Sequence, residues 1–177
     1  MLRGIGIENV IITGDTRFDR VEAILKKQTS IIPLEKFAGD SRLIVLGSTW
    51  TKDIDLWMNF INQDHNLKFI IAPHNIKEEE ISYIEKRIDL NVIRYGNIHD
   101  DQKKAPVLIV DNVGMLSTIY KYAHITYVGG AFGEGLHNIL EPATYGKPVI
   151  CLLYTSPSPR DCVSNLVCRL LLEKGGG

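Results

Sequence analysis

The sequence predicts an α/β fold built around a parallel sheet. Two observations carry that prediction. Over residues 1–150 short β-branched runs alternate with longer amphipathic ones, and the apolar runs lead through polar or glycine-bearing turns into helical periodicity. Asn9-Val10-Ile11-Ile12-Thr13 reads as a strand and Gly14-Asp15-Thr16 as its turn, after which Phe18, Val21, Ile24 and Leu25 recur at helical spacing. Arg42 to Gly47 is a second strand. Ser48 and Thr49 follow it, and between Asp53 and Asn62 the residues Ile54, Trp57, Met58 and Ile61 share one helical face. Lys68 to Pro73 is a third, buried strand, followed by a helix from Lys77 to Arg87 that turns Ile81, Ile84 and Ile88 inward. Glu78, Glu79 and Glu80 suit the positive end of that helix and a solvated face. Val92 to Tyr95 and Val107 to Asp111 are further strands on either side of a polar surface loop, Gly96 to Lys104. Met115 to Tyr122 is a helix and Ile125 to Val128 a strand; a glycine-rich turn then leads to a helix from about His137 to Tyr145, and Pro148-Val149-Ile150 begins a last strand.

A length of 177 residues corresponds to one domain at ~100–200 residues each. With 45% apolar and 23% charged residues the composition excludes a disordered, collagen-like or disulfide-scaffold chain. A formal net charge of −1 provides no global basic field, which disfavours a generic nucleic-acid or anionic-membrane binder. Any anion must therefore be caught locally. No apolar run approaches the ~18–20 residues of a membrane span, and the first residues read as structured sequence rather than a signal peptide.

Residues 151–177 differ in kind. All 3 cysteines, Cys151, Cys162 and Cys168, fall there. The segment Cys151 to Asp161 back-translates, within codon degeneracy, to a transposase-type sequencing-library adapter, and Asn165 to Lys174 to the flow-cell end of the same adapter, before a closing run of Gly175, Gly176 and Gly177. The expectation is a native α/β domain over residues 1–150 and a non-native, adapter-derived tail over 151–177, whose cysteines carry no redox or metal information.

In open α/β sheets ligands bind beyond the carboxyl ends of the strands, so the residues just after each apolar run carry the functional reading. The richest such turn is Val128-Gly129-Gly130-Ala131-Phe132-Gly133-Glu134-Gly135-Leu136-His137-Asn138, which offers backbone N–H groups and a helix start to an anion. The alternative is a tight crossover that needs glycine for positive φ. No Gly-Lys-Ser/Thr follows, so this is not a P-loop, and a clean dinucleotide fingerprint is lacking. Glu141 lies one helical turn after Asn138, on the same face, where a carboxylate can accept from the vicinal hydroxyls of a sugar while the helix start holds a phosphate. His65, His99 and His124 have no spacing for a metal site.

The stretch Tyr127 to Pro148, together with Gly14-Asp15-Thr16-Arg17-Phe18-Asp19, Gly47-Ser48-Thr49-Trp50 and Ala72-Pro73-His74, resembles the 3-deoxy-D-manno-octulosonic acid (Kdo) transferases of lipopolysaccharide synthesis, most of all their Bacteroidetes-type members. The specific part is Gly-Gly…His-Asn-x-Leu-Glu-Pro…Gly-x-Pro; Glu-Pro-x-x-x-Gly-x-Pro alone occurs across many two-domain nucleotide-sugar glycosyltransferases. The resemblance implies a Rossmann-like parallel sheet, the C-terminal, donor-binding half of a GT-B enzyme, truncated at both ends. That family transfers Kdo from CMP-Kdo to a lipid A precursor, without a metal or other cofactor, at the cytoplasmic face of the bacterial inner membrane. Its members carry an N-terminal membrane anchor and an N-terminal half holding the acceptor site and a catalytic glutamate base. The fragment alone is accordingly expected to be inactive, its catalytic residues unknown with the base expected in the missing N-terminal domain, and no nucleic-acid partner is expected.

Carried over by position, the resemblance implies that Gly129 and Gly130 approach the CMP phosphate, Asn138 bonds phosphate or ribose, and Glu141 binds the ribose hydroxyls. Ser48 and Thr49 either face the donor across the cleft or cap the following helix. Pro73-His74 stands where many members have Pro-Arg contacting the nucleotide, and His74 supplies a full charge only when protonated. Arg17 is a second anion contact or a surface residue at the first helix start; His137, in the donor-binding set, is a helix-start or packing histidine rather than an acid/base group. Two other readings stay open: a stand-alone nucleotide-binding module, and a different GT-B glycosyltransferase or epimerase that uses a UDP-sugar.

Overall fold

A computed structural model of the chain describes residues 30–63, 66–98, 105–132 and 138–152. The expected first strand, turn and helix, Arg17, His65, His99 and His137 lie outside the described residues. The elements in chain order are α1 (Ile32–Ala38), β1 (Arg42–Thr49), α2 (Thr51–Ile61), β2 (Leu67–Pro73), α3 (Glu78–Arg87), β3 (Val92–Arg94), a 3-10 turn (Tyr95–Asn97), β4 (Val107–Ile109), α4 (Leu116–Ile119), a second 3-10 turn (Tyr120–Tyr122), β5 (Ile125–Val128), α5 (Leu140–Thr144) and β6 (Val149–Cys151). The α/β class holds, and every strand pairing among these residues is parallel, in the order β3-β4-β2-β1-β5-β6.

β1 and β2 are apolar at consecutive positions because the sheet is covered on both faces. On one face Ile44, Leu46, Phe69, Ile71 and Tyr127 meet Ile54, Met58 and Ile61 of α2 and Ile81 and Ile84 of α3. On the other, Leu43, Val45, Ile70 and Leu108 meet Leu34 and Phe37 of α1, with Ile119, Tyr120 and Ile139. Full burial of each such side chain stabilises the fold by about 1.5–3 kcal/mol. Ile54, Met58 and Ile61 recur at helical spacing and are all buried, so the face predicted for this helix is the one it packs.

Several boundaries differ from expectation for local reasons. α1 occupies a stretch in which the sequence suggests no element; it is only seven residues long and starts with Pro33 in its first turn. The predicted helix from Met115 to Tyr122 tightens into a 3-10 turn over its last three residues, and the helix after the glycine turn is confined to Leu140–Thr144. The loop expected from Gly96 onward starts inside a 3-10 turn whose Gly96 N–H donates to Asp111 at 2.9 Å. Arg94 on β3 spans Glu78 (2.7 Å) and Glu85 (2.6 Å), pinning α3 to that sheet edge. β6 runs through Cys151, and Leu152 packs against the core. No helix among the described residues is long and apolar enough to cross a membrane.

Candidate functional site

β1 pairs with β2 on one side and β5 on the other. After β1 the chain enters α2 on one face of the sheet, and after β5 it reaches Ile139 and α5 on the opposite face. Where two neighbouring strands send their connections apart, a crevice opens at their carboxyl ends. Ser48, Thr49, Gly129 and Gly130 all stand at this one.

The end of β1 is irregular. Its register with β2 shifts between Gly47 and Thr49, and Ser48, at φ +50°, is the one non-glycine residue with positive φ among the described residues. Left-handed backbone costs a residue with a Cβ roughly 1–2 kcal/mol, and such strain gathers where a chain must be aimed. Here it brings the Ser48 carbonyl and the Thr49 backbone against Gly129: a Cβ on Gly129 would lie 2.6 Å from Ser48 O and 2.9 Å from Thr49 Cα. Neither Ser48 nor Thr49 caps α2, so of the two roles left open by the sequence the capping one is wrong. Both belong to β1, and Trp50 is the N-cap. Thr49 is buried, its carbonyl accepts from His74 N–H at 2.9 Å, and its hydroxyl has no hydrogen-bond partner among the described residues.

Trp50 and His74 stack with ring centroids 4.4 Å apart and planes 21° from parallel. Pro73 ends β2 beside them, and Thr49, Trp50, Pro73, Glu80 and Tyr83 line a small pocket between α2 and α3. The Pro-His pair thus shares one end of the sheet with the β1 turn.

The organising group was not among the residues singled out from sequence. Asp53, in the first turn of α2, is fully buried. Its Oδ1 accepts from the Tyr127 hydroxyl at 2.6 Å; its Oδ2 accepts from Trp50 N–H at 2.8 Å and Gly130 N–H at 3.1 Å. These three donors and the amino end of α2 offset the desolvation of the carboxylate. Burial first, and donation to Asp53 second, push the Tyr127 phenol well above its ordinary value. Trp57 buttresses that ring edge-on at 5.3 Å. The sequence signal for Asp53 was its place three residues after the cap, the acidic arm of a capping box.

This changes what the two glycines can do. Gly129 N–H donates to Gly47 O at 2.9 Å and Gly130 N–H to Asp53. The expectation that these two N–H groups face an anion is corrected: both are spent within the fold. What Gly129 contributes is the absence of a Cβ, and Gly130 contributes its positive φ of 98°. Further along the turn, Asn138 Oδ1 accepts from Leu140 N–H, the first residue of α5, at 3.0 Å, and its Nδ2 lies 3.5 Å from Glu141 Oε1, so Asn138 and Glu141 stand side by side. Glu141 is buried at 9% exposure. Its charge is felt by two neighbouring phenols: Tyr120 and Tyr145 are pushed up by burial first and by Glu141 second. Tyr120 in turn packs under Gly47, where any side chain would collide with it. His124 is a structural residue, its Nδ1 accepting from Leu43 N–H at 3.1 Å. Among the described residues no group of three or more His, Cys, Asp or Glu is placed to hold a metal.

No family model matches the sequence. Individual proteins do. The chain is 31% identical over 154 residues to a 3-deoxy-D-manno-octulosonic acid transferase of Chlamydophila psittaci, an overlap of 83% of this chain and 35% of that protein. Against the enzyme of that name from Aquifex aeolicus it is 31% identical over 118 residues, 63% of this chain and 32% of that one. A bifunctional glycosyltransferase/methyltransferase of Fusobacterium nucleatum is 31% identical over 121 residues, 66% of this chain and 19% of its own length. The chain therefore spans about a third of the transferases it matches. In fold it is similar to the crystal structure of the C-terminal CMP-Kdo binding domain of WaaA from Acinetobacter baumannii, with TM-score 0.58 and 20% identity, covering 76% of this chain and 70% of that domain. By sequence, this chain is a homologue of the 3-deoxy-D-manno-octulosonic acid transferases over about a third of their length.

Proposed function

We propose that residues 1–150 are the donor-binding part of a GT-B Kdo transferase, holding CMP-Kdo at the crevice between β1 and β5. The observation that carries this reading is the 31% identity with a Kdo transferase over 154 residues, which include the crevice. In this proposal the ribose hydroxyls of CMP bind Glu141, beside Asn138. Gly129 and Gly130 let the phosphate approach the turn closely, and the Ser48-Thr49 edge faces it. Pro73 and the exposed His74 flank the nucleotide, with the Trp50–His74 stack as a ready aromatic surface.

The chemistry assigned to this part is stabilisation of the departing CMP. The acceptor, a lipid A precursor, and the carboxylate base would be held in line by a second domain at the cytoplasmic face of the inner membrane, and the reaction would need no metal. A titration of the full chain with CMP and with UDP, followed by tryptophan emission and calorimetry, tests the donor. Trp50 and Trp57 are the only indoles, and Trp50 lies beside the pocket. CMP bound in preference to UDP is the expected result; preference for UDP, or folded protein that binds neither, overturns the reading.

A further inference from the structure

We propose that Asp53 is a positioning residue: it sets the shape of the turn at Gly129 and Gly130 and thereby the place at which a ligand's phosphate can sit. The inference deepens the donor reading above and rests on it.

Three features go beyond what a helix cap requires. A carboxylate in the first turn of a helix needs only the N-cap N–H, which Asp53 takes from Trp50. Asp53 also reaches Tyr127, the third residue of β5, and Gly130, the second residue after it, so that one side chain joins α2, β5 and the turn. It is fully buried, although caps of this kind work equally well half-exposed and burial of a carboxylate is costly. Finally, its Oδ2 would be 2.7 Å from a Cβ on Gly129, so the turn closes directly onto the carboxylate.

The consequence is geometric. The position where two backbone donors, Trp50 N–H and Gly130 N–H, converge is already filled by the protein's own carboxylate. A ligand phosphate is kept out of that position because it is occupied and must seat elsewhere on the turn. Displacement of Asp53 would let Gly130 move and spoil that seat, and a displacement near 1 Å at a positioned site costs up to ~10²-fold.

The test separates geometry from charge. Asparagine at 53 can accept from Trp50 and Gly130 through Oδ1 and donate through Nδ2 to a rotated Tyr127 hydroxyl, so it keeps the turn and loses the charge. Glutamate keeps the charge, but its extra methylene has no room beside Gly129. The readout is the ratio of CMP to cytidine affinity on the full chain, because a general loosening of the fold weakens both ligands alike. Asp53→Asn is expected to hold that ratio within about threefold, whereas Asp53→Glu and Asp53→Ala reduce it by at least about tenfold with cytidine binding little altered. Amide exchange at Gly130 and Trp50, read without ligand, should quicken in Asp53→Glu and Asp53→Ala and stay near wild type in Asp53→Asn.

An unchanged ratio in Asp53→Glu, or a collapse in Asp53→Asn, overturns the proposal. Unchanged exchange at Gly130 in Asp53→Glu does so as well, and needs no nucleotide. Wild-type protein that fails to bind CMP is a different result: it sinks the donor reading, while the exchange measurement still decides whether Asp53 shapes the turn.

Discussion

The Tyr127 hydroxyl donates a 2.6 Å hydrogen bond to Asp53 across 74 residues of sequence, linking β5 to the first turn of α2 inside the core. Burial of the ring makes this phenol resist ionisation, and its hydrogen bond to a buried carboxylate adds to that resistance. In the unfolded chain the same phenol ionises near pH ~10. The folded chain therefore holds the proton more tightly. The resulting stability is intact below about pH 10 and is lost progressively as pH rises toward the folded-state value. Tyr127→Phe should cost about 1–3 kcal/mol at neutral pH, since the lost bond is to a charged group. It should also flatten the fall in urea midpoint between about pH 9 and about pH 11. Tyr120 shares the upward shift, so some alkaline loss remains in the variant.

Gly129 and Gly146 make a contrasting pair. At Gly129 a methyl group meets Ser48 O, Thr49 Cα and the Asp53 carboxylate, all within 2.9 Å, and the two backbone neighbours cannot swing aside. Gly129→Ala is expected to destabilise by about 3 kcal/mol or more through overpacking. Gly146 has φ +64° but nothing within 4 Å of an added Cβ, so Gly146→Ala carries only the backbone cost of about 1–2 kcal/mol. Denaturant midpoints measure both. A cost at Gly129 no greater than at Gly146 would mean that the turn can shift off β1.

The Trp50–His74 stack predicts a reversal of the usual effect of changing a histidine. Arginine can lie flat on the indole as imidazole does and adds a permanent charge beside the proposed nucleotide site. His74→Arg should therefore keep the Trp50 emission maximum near its wild-type position and tighten CMP by up to about tenfold. His74→Ala should shift that emission to the red and lower stability by about 0.5–1.5 kcal/mol. Equal CMP affinity in all three proteins would remove His74 from the binding surface.

How far the sequence could be read depended on whether a feature was set locally. β1 and β2 were legible because a strand buried on both faces is apolar residue after residue, and α2 because Ile54, Met58 and Ile61 repeat at helical spacing. α1 was not legible, since seven residues hold too few turns to show a period. At the site, the candidate residues could be found by their place at the carboxyl ends of β1, β2 and β5. The direction of their N–H groups could not, because Gly130 donates to a side chain 77 residues away. Asp53 marked only the start of a helical stretch for the same reason. Two of its three bonds are tertiary, and a cap formed by the backbone of Trp50 leaves no serine or threonine to mark it.

Thr49 distinguishes what serves the fold from what serves a ligand. The residue is 1% exposed and its hydroxyl finds no partner among the described residues, while it lines the small pocket beside Trp50 and Pro73. A buried hydroxyl that bonds nothing costs free energy, and valine replaces it with a methyl group of nearly the same volume. Thr49→Val should therefore stabilise the ligand-free chain, by about 1 kcal/mol, as a rise in melting temperature. If the hydroxyl bonds the nucleotide, the same change weakens CMP about tenfold, because a donor's polar atom then enters the pocket and meets a methyl group. The two effects have opposite signs in one variant. Stabilisation with unchanged CMP affinity would place Thr49 in the fold alone; stabilisation with weakened CMP would place its hydroxyl on the donor. A loss of stability would show instead that the hydroxyl is already bonded in the free protein, leaving Trp50, Pro73 and Glu80 as the pocket's candidate ligand contacts.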